Sequence, residues 1–334
     1  MAHRATVAVA LYSHLPDALF SADALARLDR CADVRWQPVI TDWSARGVDE
    51  VLADATVLLT GWGCPRIDLA VLDRAPALTA IVHAAGTVKN VVDPRVWGRR
   101  VLVSSAAEAN ADPVAEFTVA TVILAAKRTF RHADAYRLGN LPPHAARDDS
   151  GTNGSVVGVV GASRIGRKVL RGLRALDVRL LVTDPFLDPV GAAELGAELV
   201  DLDELCARAD IVTLHAPSLP STRHLLDDSR LALLRDGAIV INTARGALID
   251  TAALTRHCAA GRIDAVLDVT DPEPLPAGHP LFGMPNVLLT PHLAGARGNE
   301  LRRLGGYAVS EIDRLVRGER LLGLVSAHDL ERIA

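Results

Sequence analysis

Short runs of aliphatic and β-branched residues alternate with amphipathic stretches along the whole chain. In the first third the apolar runs fall at residues 7–11, 34–39, 57–60, 80–83 and 101–104. Between them lie stretches such as DALFSADALARLDR and PRIDLAVLDRAP, whose apolar positions recur at helical spacing. A second set of runs follows at 156–160, 179–183, 211–215, 238–242, 265–269 and 287–290. Runs this short and this apolar suit strands buried on both faces. Their alternation with helices predicts parallel sheets covered on both sides. Two sets of strands argue for two doubly wound α/β domains over one very large sheet.

Residues 112–132, DPVAEFTVATVILAAKRTFRH, read as one long apolar helix, followed by a loop rich in Pro, Gly and Asn at 139–155. No strand separates that helix from the second set of runs. It is therefore assigned to the second domain, with the crossover near 104–111. The last helical pattern, RGNELRRLGGYAVSEIDRLVRG, comes after the final strand and is expected to return to the first domain. The predicted organisation is a discontinuous first domain, 1–106 with 297–334, and a central domain, 107–296.

Composition narrows the class. The chain has 334 residues, 49% hydrophobic and 23% charged, as expected of a globular protein with full cores. A net charge of −4 without a long basic run gives no electrostatic footprint for nucleic acid or an anionic membrane. No apolar stretch approaches the roughly 18–20 residues a bilayer requires, and the N-terminus lacks a leader pattern. Cys31, Cys64, Cys206 and Cys258 form no CxxC and read as reduced thiols. Together these features predict a cytoplasmic protein with a small-molecule partner and no metal site.

The most informative stretch is 156–184, VVGVVGASRIGRKVLRGLRALDVRLLVTD. An apolar strand breaks at Gly161, a helix opens near Gly166, and a second strand ends at Asp184. This is the layout of a dinucleotide-binding βαβ unit. A tight turn brings a helix N-terminus to a pyrophosphate, and a carboxylate roughly 20 residues on holds a ribose hydroxyl pair. Ser163 stands where the fingerprint has its middle glycine, so a hydroxyl must fit beside the phosphates or donate to them. Pro185 and Phe186 follow Asp184, and no cation is adjacent to receive a 2′-phosphate. The expected cofactor is NAD and the expected chemistry is hydride transfer.

Three further segments put reactive side chains at strand C-termini, the edge where open α/β sheets bind ligands. Arg245 in INTARGALID suits a bidentate grip on a carboxylate. Glu273 lies in the proline-rich loop of VLDVTDPEPLP, and His292 follows Pro291 in VLLTPHLAGA. An imidazole paired with a carboxylate donates and accepts protons near neutral pH, as carbonyl reduction requires. His215, also at a strand end, reads as cofactor-lining or structural.

These segments, together with TGWG…LDRAPALTAIVHAAGT, ADPVAEFTVATVILAAKR and DIVTLHAPSLPSTRHLL, resemble the D-isomer-specific 2-hydroxyacid dehydrogenase family over nearly the whole chain. The resemblance implies two Rossmann-like domains with an active-site cleft between them, and a homodimer formed through the cofactor domains. It implies that Arg245 binds the substrate carboxylate and carbonyl, that His292 is the general acid/base, and that Glu273 holds the imidazole. The dinucleotide would be held by Gly161, Ser163, Arg164, Ile165, Gly166, Asp184, His215, Pro217, Thr222, Thr243, Ala244 and Asp268, with Asp268 near the carboxamide. Ala85, Gly86 and Thr87 would meet the substrate, Arg245 and His292 completing its site. In the loop HAAGTVKNVVD, Val88 and Lys89 stand where relatives usually have a second glycine, so the family's substrate is not carried over. Trp62 suits either a pocket wall or a core position. Two alternatives accompany this reading: a dinucleotide-sensing, co-repressor-like regulator on the same fold, and a formate- or phosphite-type dehydrogenase. The three strand-end residues and the lack of a recruiting tail argue against the first. The lack of room for an added regulatory domain argues against a phosphoglycerate dehydrogenase of the extended kind.

Overall fold

The computed structural model describes residues 4–140 and 150–331. Part of the loop expected at 139–155, and the last residues of the expected first domain, lie outside the described residues. Those up to Ala111 and from Ala296 form one compact unit, and those from Asp112 to Gly295 another.

The first unit is built on five parallel strands: β1 (Ala5–Ala10), β2 (Ala32–Ile40), β3 (Val57–Thr60), β4 (Ala80–His83) and β5 (Leu102–Ser105). Their spatial order is β2-β1-β3-β4-β5. Side chains alternate across a strand, so β1 feeds two cores. Val7 and Val9 pack with Leu28 of helix Ala22–Cys31 and with Leu304, Ala308 and Ile312 of helix Leu301–Val316. Ala8 and Ala10 pack on the other face with Val48, Leu52 and Val71. Gly305 lets the C-terminal helix lie on the backbone of Leu19, since an added Cβ would sit 1.9 Å from the Leu19 carbonyl oxygen. The buried Glu311 on that helix accepts hydrogen bonds from the Ser104 hydroxyl (2.6 Å) and the amides of Leu322 (3.1 Å) and Gly323 (2.9 Å). The C-terminal segment is thereby fastened beside β5.

The second unit is built on seven parallel strands: β6 (Val156–Val160), β7 (Arg179–Thr183), β8 (Glu198–Leu199), β9 (Ile211–Leu214), β10 (Ile239–Asn242), β11 (Asp264–Leu267) and β12 (Val287–Leu289). Their order is β12-β11-β10-β9-β6-β7-β8, so strand order reverses at β6. Val157 and Val159 pack against Val169, Leu170 and Leu173 of helix Arg164–Leu173, and Val156 and Val160 against Leu205 and Leu214.

Two elements differ from the pattern in the sequence. β8 is a two-residue edge strand with Glu198 exposed, too short to leave an apolar run. The long apolar helix starts at Ala107, carries Pro113 inside it and ends at Ala126; a second helix, Thr129–Arg137, follows. The break comes at Arg128, whose φ of 53° is left-handed. Its guanidinium pairs with Asp264 at 2.7 Å and donates to the Gly237 carbonyl, so tertiary contacts end the helix there. Among the described residues, no helix is long and apolar enough to cross a membrane, and no cluster of His, Cys, Asp or Glu has a metal-holding arrangement.

Candidate active site

The turn after β6 is shaped by two close approaches. Gly161 has φ 98°, and a Cβ there would lie 2.8 Å from the Ala216 amide nitrogen. A Cβ on Gly166 would lie 2.0 Å from the Gly161 carbonyl oxygen. Only glycine fits either place. Ser163 is the N-cap of helix Arg164–Leu173, its Oγ accepting from the Gly166 amide at 3.3 Å. The residue in the middle-glycine position thus replaces close backbone approach with a cap, and its hydroxyl proton is still available to an anion. Arg164 and Ile165 lie in the first helical turn, where backbone N–H groups have no partner within the helix. Asp184, just past β7, accepts from the Ala162 amide (2.7 Å) and from the Phe186 amide (2.8 Å). Its carboxylate is fixed beside the turn, with lone pairs left for ribose hydroxyls. This cradle suits a dinucleotide.

The residues expected along the rest of that cradle are more committed to the protein itself. Thr222 donates to the Pro217 carbonyl at 2.6 Å and accepts from the Leu219 amide at 2.8 Å. Thr243 pairs with the Thr118 hydroxyl at 2.9 Å, and the Ala244 amide donates to Asn242 Oδ1 at 3.0 Å. Their polar atoms shape loops and leave carbon surface to a ligand. His215 is buried, with Nε2 2.9 Å from the Thr213 hydroxyl and Nδ1 without a partner among the described residues. Burial pushes its pKa down to about 3, so the ring is neutral. It lies against Gly166, at the wall of the same turn.

Three adjacent strands, β10, β11 and β12, each deliver one reactive side chain. Arg245 follows β10. Asn242 Nδ2 donates to its carbonyl at 2.9 Å, and its own Nη1 donates to the Ala244 carbonyl at 2.6 Å. Burial lowers the Arg245 pKa from its ordinary value, and the negative charge of Glu273 opposes that shift. A Cβ on Gly246 would lie 2.0 Å from the Thr270 carbonyl oxygen, so the Arg245 turn rests directly on the loop after β11. The Thr251 hydroxyl fastens that loop through the Asp271 carbonyl at 2.7 Å. On it, Glu273 Oε1 stands 2.6 Å from His292 Nδ1. The two side chains are half-exposed, at 42% and 51%, and His292 Nε2 has no protein partner among the described residues.

Both oxygens of Asp268, the residue expected near the cofactor's carboxamide, are engaged by the His292 turn. Oδ1 accepts from the Thr290 hydroxyl (2.6 Å) and the Leu293 amide (2.8 Å), and Oδ2 accepts from the Ala294 amide (2.9 Å). The Asp268 carbonyl also accepts from the His292 amide at 2.9 Å. This set of bonds holds His292 at φ 52°, a conformation rare for a residue with a side chain.

The segment after β4 belongs to the first unit. Ala85 is buried, and Gly86 faces Asn110, whose Nδ2 would lie 3.2 Å from an added Cβ. Asn110 Oδ1 accepts from the Ala296 amide at 3.1 Å. His83 is fully buried, with Nδ1 2.9 Å from the Thr60 hydroxyl. Burial lowers its pKa to about 4, partly offset by a backbone hydrogen bond with Thr87. Val88 is completely buried among Ile81, Val92 and Val96, so the residue in place of a glycine is a core residue. The Lys89 amide donates to the Thr87 hydroxyl at 3.4 Å. Trp62 is 39% exposed, which excludes the core position. Asn242, His83 and Asn110 were missed in the sequence. For Asn242 the signal was an amide closing an otherwise apolar strand, and for His83 an imidazole in the same position.

Residues 119–294 match the family model described as D-isomer specific 2-hydroxyacid dehydrogenase, NAD binding domain. The chain is 33% identical over 300 residues to the D-3-phosphoglycerate dehydrogenase of Methanocaldococcus jannaschii, covering 89% of this chain and 56% of that protein. It therefore spans little more than half the length of that relative. It is 32% identical over 272 residues to the glyoxylate reductase of Thermofilum pendens, covering 80% of each. Among solved structures, a phosphoglycerate oxidoreductase from Rhizobium etli superposes with TM-score 0.81 at 25% identity, covering 96% of this chain and 98% of that one.

Proposed function

The chain belongs to the D-isomer specific 2-hydroxyacid dehydrogenase family, whose NAD-binding domain it carries, and from that premise we propose that it interconverts a 2-oxo acid and a D-2-hydroxy acid. The observation that carries this reading is the placement of Arg245, Glu273 and His292 at three adjacent strand ends, on the sheet that forms the dinucleotide cradle. NADH, when bound, supplies the hydride for the carbonyl carbon. The chain's own part is charge and proton. Arg245, partly desolvated, holds the substrate carboxylate and draws electron density from the carbonyl oxygen. His292 gives its Nε2 proton to the developing alkoxide, while Glu273 at Nδ1 orients the ring. In oxidation the neutral ring takes the hydroxyl proton back.

The test is a panel of 2-oxo acids with NADH, followed by absorbance loss near 340 nm. At least one oxo acid should be reduced; a panel with no turnover removes the reading. The same assay checks cofactor choice. Asp184, fixed by two amides, repels a 2′-phosphate, so kcat/KM should favour NADH over NADPH. Asp184→Ala should narrow that gap about tenfold or more by relieving the repulsion. A wild type that prefers NADPH contradicts the assignment of Asp184.

We also propose that the protein is a homodimer paired through its cofactor domains. Helix Ala107–Ala126 is apolar around most of its circumference: Val122, Ala125 and Ala126 enter the core, while Leu124 is 40% exposed. A two-fold dimer covers such a surface. Light scattering at micromolar concentration should give about twice the 35.4 kDa chain mass, and a clean monomer would remove the claim.

A further inference from the structure

From Pro113 onward the long helix Ala107–Ala126 is apolar except at Glu116, Thr118 and Thr121. Thr118 is completely buried. A hydroxyl shut away from water needs partners. Its proton goes to the Val114 carbonyl at 2.8 Å, one helical turn back. That bond satisfies the single donor Thr118 has. Its oxygen also lies 2.9 Å from the Thr243 hydroxyl, 125 residues away in sequence. With the Thr118 proton spent on Val114, Thr243 is the donor of this second bond and Thr118 the acceptor. A valine fills the same volume without a polar atom, so what the hydroxyl adds here is the bond to Thr243.

Thr243 is the first residue past β10, two before Arg245. Side chains alternate across a strand. Ile239 and Ile241 face the long helix, packing in one cluster with Ala115 and Val122. Val240 and Ala244 face the other way, in a cluster with Leu248 and Leu254. Thr243 continues the helix side, and Asn242 belongs to the opposite one. The turn is thus gripped from both faces of the sheet. On one face Asn242 accepts from the Ala244 amide at 3.0 Å and donates to the Arg245 carbonyl at 2.9 Å. On the other, Thr118 takes the proton of Thr243. Between the two grips stands the Ala244 carbonyl, which accepts from Arg245 Nη1 at 2.6 Å. The backbone from Thr243 to Arg245 aims that carbonyl, and the carbonyl aims the guanidinium. All of these residues lie in the second unit.

We propose that Thr118 is a positioning residue for Arg245, acting through the Thr243 hydroxyl as a strut from the long helix to the arginine turn. The inference rests on the proposed dehydrogenase function, in which Arg245 grips and polarises the oxo acid. Without the strut, the buried Thr243 hydroxyl has a proton and no acceptor. The turn shifts to find one, and the Ala244 carbonyl takes the guanidinium with it. The strut also spends the Thr243 proton, so Thr243 offers a bound dinucleotide only its methyl group and its lone pairs.

The experiment compares the wild type with Thr118→Val, which has the same outline but no acceptor, and with Thr118→Ser, which keeps the hydroxyl. The oxo acids are glyoxylate, pyruvate, phenylpyruvate and 3-phosphohydroxypyruvate, each with saturating NADH. For the best of them, Thr118→Val should raise KM and lower kcat together, as a misplaced Arg245 does, with kcat/KM down about tenfold or more. NADH affinity, read by fluorescence, should change less than about threefold, and Thr118→Ser should recover kcat/KM to within about threefold of the wild type. Phenylglyoxal labelling followed by peptide mass mapping reads the arginine without turnover. Arg245 should be labelled at least about threefold faster in Thr118→Val than in the wild type or Thr118→Ser, because its turn opens more often. Arg128 and Arg262, tied elsewhere in the same unit, should keep their wild-type rates. Equal kcat/KM in Thr118→Val and the wild type overturns the inference. So does a loss that Thr118→Ser does not recover, or one carried by NADH affinity alone. Faster labelling of all three arginines means that the whole unit has loosened, and it overturns the inference too. Turnover of no oxo acid defeats the dehydrogenase reading itself, and an Arg245 labelling rate unchanged in Thr118→Val then defeats the strut separately.

Discussion

His292→Ala should lower the rate of 2-oxo acid reduction roughly 10²–10⁴-fold, the usual worth of a positioned general acid, while NADH binds as before. The ring is proposed for that task on its geometry. Nδ1 is taken by Glu273 at 2.6 Å, so Nε2 is the nitrogen that faces outward. Reduction consumes the ring proton, and oxidation of the hydroxy acid returns it. Glu273→Gln keeps a hydrogen-bonding group of the same shape but removes the negative charge at Nδ1, so kcat should fall in both directions while NADH binds as before. Arg245→Ala acts differently, raising KM and lowering kcat together, because the guanidinium serves both grip and polarisation. The measurement is kcat and KM in each direction with cofactor affinity read by fluorescence. Near-wild-type turnover in His292→Ala assigns the proton to another group.

Much of the fold could be read along the chain because parallel strands buried on both faces leave unbroken apolar runs. β3, β4, β6 and β7 stand where those runs stand. What escaped depends on contacts distant in sequence. β8 borrows its definition from β7, pairing through Leu181 and Val182 with only Glu198 and Leu199. The helix break at Arg128 is written in Asp264 and Gly237, more than a hundred residues on. The return of the C-terminal helix was visible in its periodicity, but the carboxylate that fastens it, Glu311, reads in sequence as an ordinary surface acid. In the candidate site the same division holds. Strand-end position and residue type single out Arg245, Glu273 and His292. No local pattern shows that Gly246 and Gly63 are required by the close approach of Thr270 and Tyr12, nor that His83 and Asn242 point inward to hold loops.

Asp268→Asn should lower kcat for the best oxo acid about a hundredfold, with NADH affinity changed less than about threefold. Asp268 is 2% exposed and accepts three hydrogen bonds from Thr290, Leu293 and Ala294. Asparagine has the same outline but only one acceptor oxygen. Wherever its NH₂ is placed, it meets a backbone N–H or a hydroxyl already committed as a donor. Leaving a buried donor unpaired costs about 1–3 kcal/mol. The turn answers by relaxing, and His292 is the residue in it with the least comfortable backbone, at φ 52°. A general acid displaced by about 1 Å loses on the order of 10²-fold in rate, because the near-attack geometry is gone before any chemistry begins. The thermal midpoint should fall by a few degrees, in keeping with the lost hydrogen bond in a domain of this size. Affinity and rate separate the two roles open to this carboxylate. If its main work were to hold the cofactor's carboxamide, NADH affinity would fall in step with kcat/KM. If it holds the turn, rate falls while affinity stays.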